Sequence, residues 1–283
     1  MVSFSVASMF FHEYTTPEIF SFVSTSGLDG IEFWLETPHF WLRDLPVDEV
    51  IACRREHPEL GNLTVHAPIL DLNPCSINPE VAAVSVEYAV RSLGIATRMG
   101  AGLVTVHPGR RTAKRPPSDA DFVRFDHYID VLRDAAPHYP VKICMENMEP
   151  IVNSLLCTPE RMRTLLDEEP WLSCTLDVSH ALAKSPDEPV RYIELCHDRM
   201  ANVHISRAEG KTLHLPLARD PSMAAVMQAL RDHGFSGSLT LEIEDLNFGR
   251  TFTPDEKIAL LAGDCAFMHE CWTKVTVPGA GFM

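Results

Sequence analysis

A repeated alternation of strand-like and helix-like segments constrains the fold of this chain more than any other feature of its sequence. Short apolar segments are each followed by a longer amphipathic segment, which often begins at a proline and often ends at a glycine. The alternation repeats about eight times in 283 residues, with no linker or low-complexity segment between the repeats. This pattern predicts an α/β fold with parallel strands.

The lengths of the segments narrow the prediction to a single-domain (β/α)8 TIM barrel over residues 1–274, with residues 275–283 as a C-terminal tail. A doubly wound open sheet is the alternative, but no GxGxxG motif follows the first strand, which counts against it. Thr16 is expected to cap the first helix, with Pro17 as its first residue. The predicted strands cover residues 2–7, 30–35, 63–68, 103–109, 141–147, 172–177, 200–205 and 238–243. The predicted helices cover residues 17–26, 46–56, 79–99, 118–136, 158–168, 186–196, 221–233 and 254–272.

The composition is that of a soluble globular protein, with 46% hydrophobic and 22% charged residues. A net charge of −15 argues against a surface that coats nucleic acid. No apolar run approaches the roughly 18 residues that a membrane span needs, and the apolar N-terminus lacks a basic segment and a cleavage site. The eight cysteines form no CxxC pair, which favours reduced thiols in a cytoplasmic protein.

Six of the predicted strands share one register at their C-terminal ends. In each, a His, Asp or Glu is preceded by an apolar residue and, two positions back, by a small and mostly polar residue. Because strand side chains alternate between faces, the small residue and the acidic or imidazole group should both point into the barrel. The six end residues are His66, His107, Glu146, Asp177, His204 and Glu242.

Three imidazoles and three carboxylates around one axis favour a metal centre, because crowded buried charges need a counter-charge. Taken singly, a strand histidine such as His66 is more often a packing residue, and Glu242 could pair with an arginine. His, Asp and Glu ligands together suit Zn²⁺, expected here, or Mn²⁺ or Fe²⁺, whereas Mg²⁺ and Ca²⁺ prefer all-oxygen shells.

Further polar residues near the strand ends are candidates for the same site. His180 follows Asp177 by three positions and His214 lies in the loop after the seventh strand; they are ordinary loop histidines or hold another metal. Asn147 is expected to contact substrate or to hold a ligand in place. The basic run after His107 is a solvated face or a phosphate-binding loop. That run contains Arg110, Arg111, Lys114 and Arg115, and the remaining candidates to line the pocket are His12, Glu32 and Glu36.

The motifs at these strand ends resemble those of the xylose-isomerase-like TIM-barrel superfamily, which includes endonuclease IV and sugar-phosphate isomerases and epimerases. The resemblance extends from about residue 60 to residue 245. It is carried by Val65-His-Ala-Pro, Val106-His-Pro-Gly, Met145-Glu-Asn, Leu176-Asp-Val-Ser-His and Asn202-Val-His-Ile.

The resemblance implies three metal sites. Glu146, Asp177, His204 and Glu242 would bind one metal, as in the isomerases and epimerases. His66 and His107, with Glu146 bridging, would form the additional site of the endonuclease IV type, and His180 and His214 would form its third site. At that third site the family has an aspartate two residues before the second histidine, and this chain has Thr212.

Phosphoester hydrolysis at a di- or trinuclear metal centre is the first functional prediction, because a one-metal isomerase has no need of His66 and His107. The substrate is expected to be a small molecule, with or without phosphate, and nucleic acid is not favoured because only one basic cluster is evident. The alternative is a sugar or sugar-phosphate isomerase or epimerase with one metal, in which Glu146 and Glu242 are the acid and base. A metal-binding barrel without activity is the third hypothesis.

Overall fold

The computed structural model describes residues 2–273, and eight of its strands close into a parallel barrel. The neighbours around the barrel follow the order β1-β10-β7-β6-β5-β4-β3-β2, and β8 and β9 form a separate antiparallel hairpin after β7. The (β/α)8 TIM barrel predicted from sequence is therefore confirmed. The strands are β1 (Ser3–Ala7), β2 (Gly30–Trp34), β3 (Asn62–His66), β4 (Leu103–Val106), β5 (Lys142–Glu146), β6 (Ser173–Asp177), β7 (Met200–Ile205), β8 (Arg207–Glu209), β9 (Thr212–Leu215) and β10 (Ser238–Leu241).

The helices surround the barrel, and the longer ones lie where the amphipathic segments predict them. They are α1 (Thr16–Ser24), α2 (Pro38–Trp41), α3 (Val47–Glu56), α4 (Pro79–Met99), α5 (Asp119–Ala135), α6 (Pro159–Glu168), α7 (Val178–Leu182), α8 (Glu188–Cys196), α9 (Pro221–Asp232) and α10 (Pro254–Thr273). Short 3₁₀ helices cover Ser8–Phe11, Ala136–His138, His197–Arg199 and Asp245–Asn247. The predicted tail, residues 275–283, lies outside the described residues.

Three local expectations differ from the structure. The cap of α1 is Thr15 rather than Thr16, because Thr15 and Glu18 form a reciprocal capping box. The segment between the predicted strand 172–177 and the predicted helix 186–196 contains a further short helix, α7, which Asp177 caps by accepting a hydrogen bond of 2.6 Å from the backbone N–H of His180. The segment that carries His214 is part of a β-hairpin rather than a plain loop.

The side-chain alternation predicted for the barrel strands is confirmed. The interior contains a buried polar layer in which Thr105 and Thr175 share a hydrogen bond of 2.9 Å and Thr240 donates to Asn202 at 3.0 Å. The intervening residues belong to the buried apolar core; they are Val65, Val106, Met145, Leu176, Val203 and Leu241. The six candidate ligands at the strand ends therefore lie at the C-terminal rim of the barrel, next to this polar layer.

Within residues 2–273, none of the helices combines the length and the apolar character that crossing a membrane requires. All eight cysteines have free thiols, as the sequence predicts.

Candidate metal centre

The candidate ligands gather at the C-terminal end of the barrel. His66, Glu146 and Asp177 are the last residues of β3, β5 and β6, and His204 is the penultimate residue of β7. The two others directly follow a strand: His107 comes after β4 and Glu242 after β10. Since parallel strands end at one rim, residues far apart in the chain meet there.

Four of these residues, Glu146, Asp177, His204 and Glu242, form a buried quartet whose donor atoms all lie within 4.8 Å of one another. His204 Nδ1 lies 2.9 Å from Glu242 Oε2, 3.7 Å from Glu146 Oε1 and 4.0 Å from Asp177 Oδ2. Asp177 Oδ2, His204 Nδ1 and Glu242 Oε2 are buried and have no hydrogen-bond partner. Buried polar atoms are rarely left unsatisfied. The quartet therefore fits a divalent cation with one nitrogen and three carboxylate ligands.

A second group of donors surrounds the other oxygen of Glu146. His66 Nε2 lies 3.3 Å and His107 Nε2 lies 3.1 Å from Glu146 Oε2. His66 Nδ1 donates to the carbonyl of Ala67 at 2.8 Å, which fixes the tautomer and leaves Nε2 without a proton when the ring is neutral. His66, His107 and Glu146 can thus hold a cation beside the quartet.

A third group joins Asp177 to His180 and His214. His180 Nδ1 donates to the carbonyl of Asn147 at 2.9 Å, so its Nε2 is free to bind. His214 has a φ of 54°, which is uncommon for a residue other than glycine, and the hairpin therefore carries local strain where the ring enters the site. Thr212, at the position where the family has an aspartate, lies in β9 two residues before His214.

Burial and neighbouring charges shift the pKa values of the site residues in opposite directions. Burial would raise the pKa of Glu146, but His107 and His204 outweigh it and hold that pKa well below its usual range. Burial raises the pKa of Glu242, and His204 offsets only part of that effect. Burial would lower the pKa of His180, yet Asp177 and Glu146 raise it to about 9. In the metal-free protein, protons thus balance the carboxylates, and a bound cation would displace them.

A cavity of about 240 Å³ opens above the ligands. Glu146 and Glu242 both line it, from strands that are three positions apart in the ring of eight, so they face it from different sides. This volume lies just below the ~300–1,000 Å³ of pockets for drug-sized ligands. The cavity therefore suits a molecule that is smaller than a typical drug. The other residues that line it include Trp34, Ile69, His107, Arg110, Met148, Glu149, Ile151, His180, His214 and Glu244.

The predicted basic loop reaches the cavity through one residue. Arg110 lines the cavity, whereas Arg111 donates to the carbonyl of Pro116 at 2.6 Å and lies 3.5 Å from Asp121. Lys114 and Arg115 are exposed and do not line the cavity in the described part of the chain. Of the four basic side chains that the sequence predicts for ligand binding, one, Arg110, thus lines the cavity in the described part of the chain.

The side-chain amide of Asn147 is hydrogen bonded at both ends to the backbone of Asp177. Its Oδ1 accepts the backbone N–H of Asp177 at 2.7 Å, and its Nδ2 donates to the carbonyl of Asp177 at 3.0 Å. Because both ends of the buried amide are occupied, the geometry favours a role in positioning Asp177 over a contact with substrate, and both roles stay predictions.

The three remaining candidates have other positions. Glu36 accepts the backbone N–H groups of Ile69 and Leu70 at 2.7 and 2.9 Å, and His12 is partly exposed beside Glu13. Glu32 is fully buried and lies beneath the quartet, level with Thr64. The sequence predicts Glu32 only as a pocket-lining residue, although a carboxylate between the apolar strand residues Ile31 and Phe33 indicates a buried, paired charge.

A family model described as a xylose isomerase-like TIM barrel matches residues 20–268. Among curated proteins, the chain is 30% identical over 272 residues to the uncharacterized protein MJ1188 of Methanocaldococcus jannaschii, covering 95% of this chain and 99% of that protein. It is 21% identical to fructoselysine 3-epimerase of Escherichia coli O157:H7, over 78% of this chain and 82% of that enzyme. A probable endonuclease 4 of Acholeplasma laidlawii is 23% identical, over 49% of this chain and 48% of that protein.

Solved structures share the fold. A D-tagatose 3-epimerase-like protein superposes with a TM-score of 0.75 at 21% identity, covering 95% of this chain and 98% of that one. An L-ribulose 3-epimerase superposes with a TM-score of 0.76 at 17% identity, covering 96% and 95%.

Proposed function

The chain belongs to the xylose isomerase-like TIM-barrel family, and from that premise we propose that it is a divalent-metal-dependent epimerase or isomerase of a small sugar. The observation that carries the proposal is the buried quartet of Glu146, Asp177, His204 and Glu242, with three unpartnered donor atoms turned toward one another. The two glutamates line one cavity from different sides, which is the arrangement that a two-base proton transfer needs.

A divalent cation held by the quartet would supply Lewis-acid polarisation of the carbonyl and hydroxyl oxygens of a bound ketose. One glutamate, Glu146 or Glu242, removes the proton from the carbon beside the carbonyl and leaves an enediolate. The other glutamate donates a proton to that carbon from the opposite face, so the configuration inverts and no net proton is consumed. Return of the proton to the neighbouring carbon would give isomerisation instead. Trp34, Ile69 and Ile151 give the cavity an apolar surface beside the polar groups.

The relatives support this choice of chemistry. The fructoselysine 3-epimerase aligns over 78% of this chain, and the probable endonuclease 4 over 49%. Of the predicted basic run, Arg110 lines the cavity. Because several phosphate groups would need several cationic partners, a single arginine favours a substrate without several phosphates.

Proton transfer should be visible as exchange with solvent. In D₂O with added Mn²⁺ or Zn²⁺, the protein is expected to introduce deuterium at the carbon next to the carbonyl of its substrate, detected by NMR across a panel of free and phosphorylated ketoses. The Glu242→Gln variant should lose at least roughly 10²-fold of that exchange rate, as expected for removal of a general acid or base. Absence of exchange over the whole panel in the metal-loaded wild-type protein would count against the proposal.

Phosphoester hydrolysis is the second candidate, and one observation favours it: His66 and His107 both contact Glu146 Oε2, beside the quartet. Adjacent divalent cations would supply a hydroxide nucleophile at neutral pH and neutralise a phosphate. The metal content separates the two candidates, because the epimerase chemistry requires one cation and the hydrolase chemistry requires at least two.

Replacing both His66 and His107 by Ala is therefore expected to leave one tightly bound cation per chain and to retain solvent exchange, as measured by elemental mass spectrometry and NMR. The matched control is Asp177→Asn, which removes a quartet ligand and should lose the tight cation. Loss of all bound metal in the double histidine variant, together with phosphodiesterase activity in the wild-type protein, would favour the hydrolase instead.

A further inference from the structure

Glu32 is a carboxylate buried inside the barrel, and its side chain has no exposure to solvent. It lies in the middle of β2 between Ile31 and Phe33, both fully buried in the apolar core. Burying an ionised carboxylate is costly unless hydrogen bonds compensate for the loss of water. The presence of Glu32 at this position therefore needs a partner that makes use of its charge.

Three donors satisfy the two carboxylate oxygens. His204 Nε2 donates to Oε1 at 2.7 Å. Asn202 Nδ2 donates to Oε2 at 2.7 Å, and Thr64 Oγ1 donates to the same oxygen at 3.1 Å. Asn202 and Thr64 belong to the polar layer beneath the quartet, so they fix the position of the carboxylate and direct Oε1 toward the imidazole.

The contact with His204 determines which ring nitrogen faces the quartet. Because Nε2 donates its proton to Glu32, the opposite nitrogen, Nδ1, is directed toward Glu146, Asp177 and Glu242, and it lacks a hydrogen-bond partner. A carboxylate behind a metal-binding histidine fixes its tautomer and orientation and increases its basicity. We infer that Glu32 is a positioning residue that holds His204 with Nδ1 toward the cation. The inference rests on the metal centre of the proposed function.

The alternative is that Glu32 only fills and crosslinks the barrel interior. A glutamine has almost the same shape and would do so at a lower cost of desolvation. However, its amide would place an N–H against one of the three donors, so the orientation of His204 would no longer be fixed. The two roles therefore predict different results for a substitution that conserves shape.

The test is a competition titration of Zn²⁺ against a chromophoric chelator, with the wild-type protein and the E32Q and E36Q variants. E32Q is expected to bind Zn²⁺ at the quartet about 10- to 100-fold more weakly, the usual effect of removing such a partner. E36Q is the matched control, because Glu36 lies four residues along the chain and its carboxylate binds the backbone of Ile69 and Leu70. E36Q should change the affinity less than about twofold. Equal affinities for E32Q and wild type, or equal losses in E32Q and E36Q, would overturn the inference.

Two further measurements separate positioning from general damage to the fold. In an H204Q background, E32Q should cause no further loss of Zn²⁺ affinity, because Glu32 acts through His204; an equal loss in both backgrounds contradicts the inference. In the zinc-loaded wild-type protein, the His204 Nε2 proton should appear downfield and exchange slowly in the NMR spectrum, and in E32Q it should move or disappear. An unmoved signal contradicts the inference.

If E32Q does not fold, E32D serves in its place, because it keeps the charge but is one methylene too short to reach His204. Weaker binding of Zn²⁺ by E32D supports positioning, and wild-type affinity overturns it. A wild-type protein that binds no Zn²⁺ at the quartet would instead refute the proposed function. The two failures are therefore distinguishable.

Discussion

Replacing Glu146 by Gln is expected to lower turnover by roughly 10³-fold or more, since general acid–base catalysis alone contributes about 10²–10⁴-fold and this residue is also a proposed ligand. Glu146 faces four imidazoles: its carboxylate lies within 3.7 Å of His66, His107, His180 and His204. The amide of Gln cannot carry the charge that these four imidazoles face. The measurement is the rate of solvent exchange, together with the Zn²⁺ affinity, which does not depend on knowing the substrate.

A buried glutamate away from the site provides the matched control. Glu169 is 7% exposed and forms an ion pair with Arg133 in the segment before β6, at the opposite end of the barrel. Glu169→Gln should lower the melting temperature without weakening Zn²⁺ binding or exchange. Near-normal turnover and metal affinity in Glu146→Gln would mean that the centre has been misidentified.

Removing the metal is expected to lower the melting temperature by about 7 °C. A ligand present at 1,000 times its Kd stabilises the folded state by about 4.1 kcal/mol, and an unfolding entropy of about 2.1 cal/mol/K per residue converts each kcal/mol into roughly 1.7 °C for a chain of 283 residues. The physical reason is that a cation at the quartet would compensate the charges of Glu146, Asp177 and Glu242, which are almost completely buried. Differential scanning calorimetry with and without excess chelator gives the shift.

The Asp177→Asn variant is the control for that experiment. It lacks one ligand of the quartet, so chelator should change its melting temperature much less than that of the wild-type protein. If wild type and variant respond equally, or if neither responds, the stabilisation does not come from the quartet.

The barrel and its rim of ligands could be predicted because the controlling physics is local. Strand alternation alone places Thr64 and His66 on one face and Val65 on the other, and parallel strands deliver their last residues to one end. Two of the three groups that the structure brings together, the quartet and the group of His66, His107 and Glu146, are the sets that the resemblance implies. In the third, the expected pair His180 and His214 is joined by Asp177. Their role as metal ligands stays a prediction until metal is measured.

Features that depend on distant partners could not be predicted. The role of Glu32 depends on Asn202 and His204, which lie about 170 residues further along the chain and reach it across the barrel interior. Similarly, the direction of Arg111 is set by Asp121 and Pro116. The helix Val178–Leu182 and the strand Arg207–Glu209 are too short for a hydrophobic period to be recognised.

The choice of chemistry also changed. In the sequence, the additional histidines His66 and His107 favour hydrolysis, and in the structure both lie beside Glu146. The relative named as an epimerase aligns over a larger share of the chain than the one named as an endonuclease. In addition, one residue of the basic run, Arg110, lines the cavity. Both points support the isomerase or epimerase alternative better than hydrolysis.

The most direct test of the central claim is the anomalous difference density of crystals grown with Mn²⁺ or Zn²⁺. The account predicts a strong peak about 2.0–2.2 Å from a carboxylate oxygen of Glu146, Asp177 and Glu242 and from Nδ1 of His204, the usual distances for such ligands. A map in which the quartet contains no anomalous peak, while the side chains keep the positions described above, would contradict it.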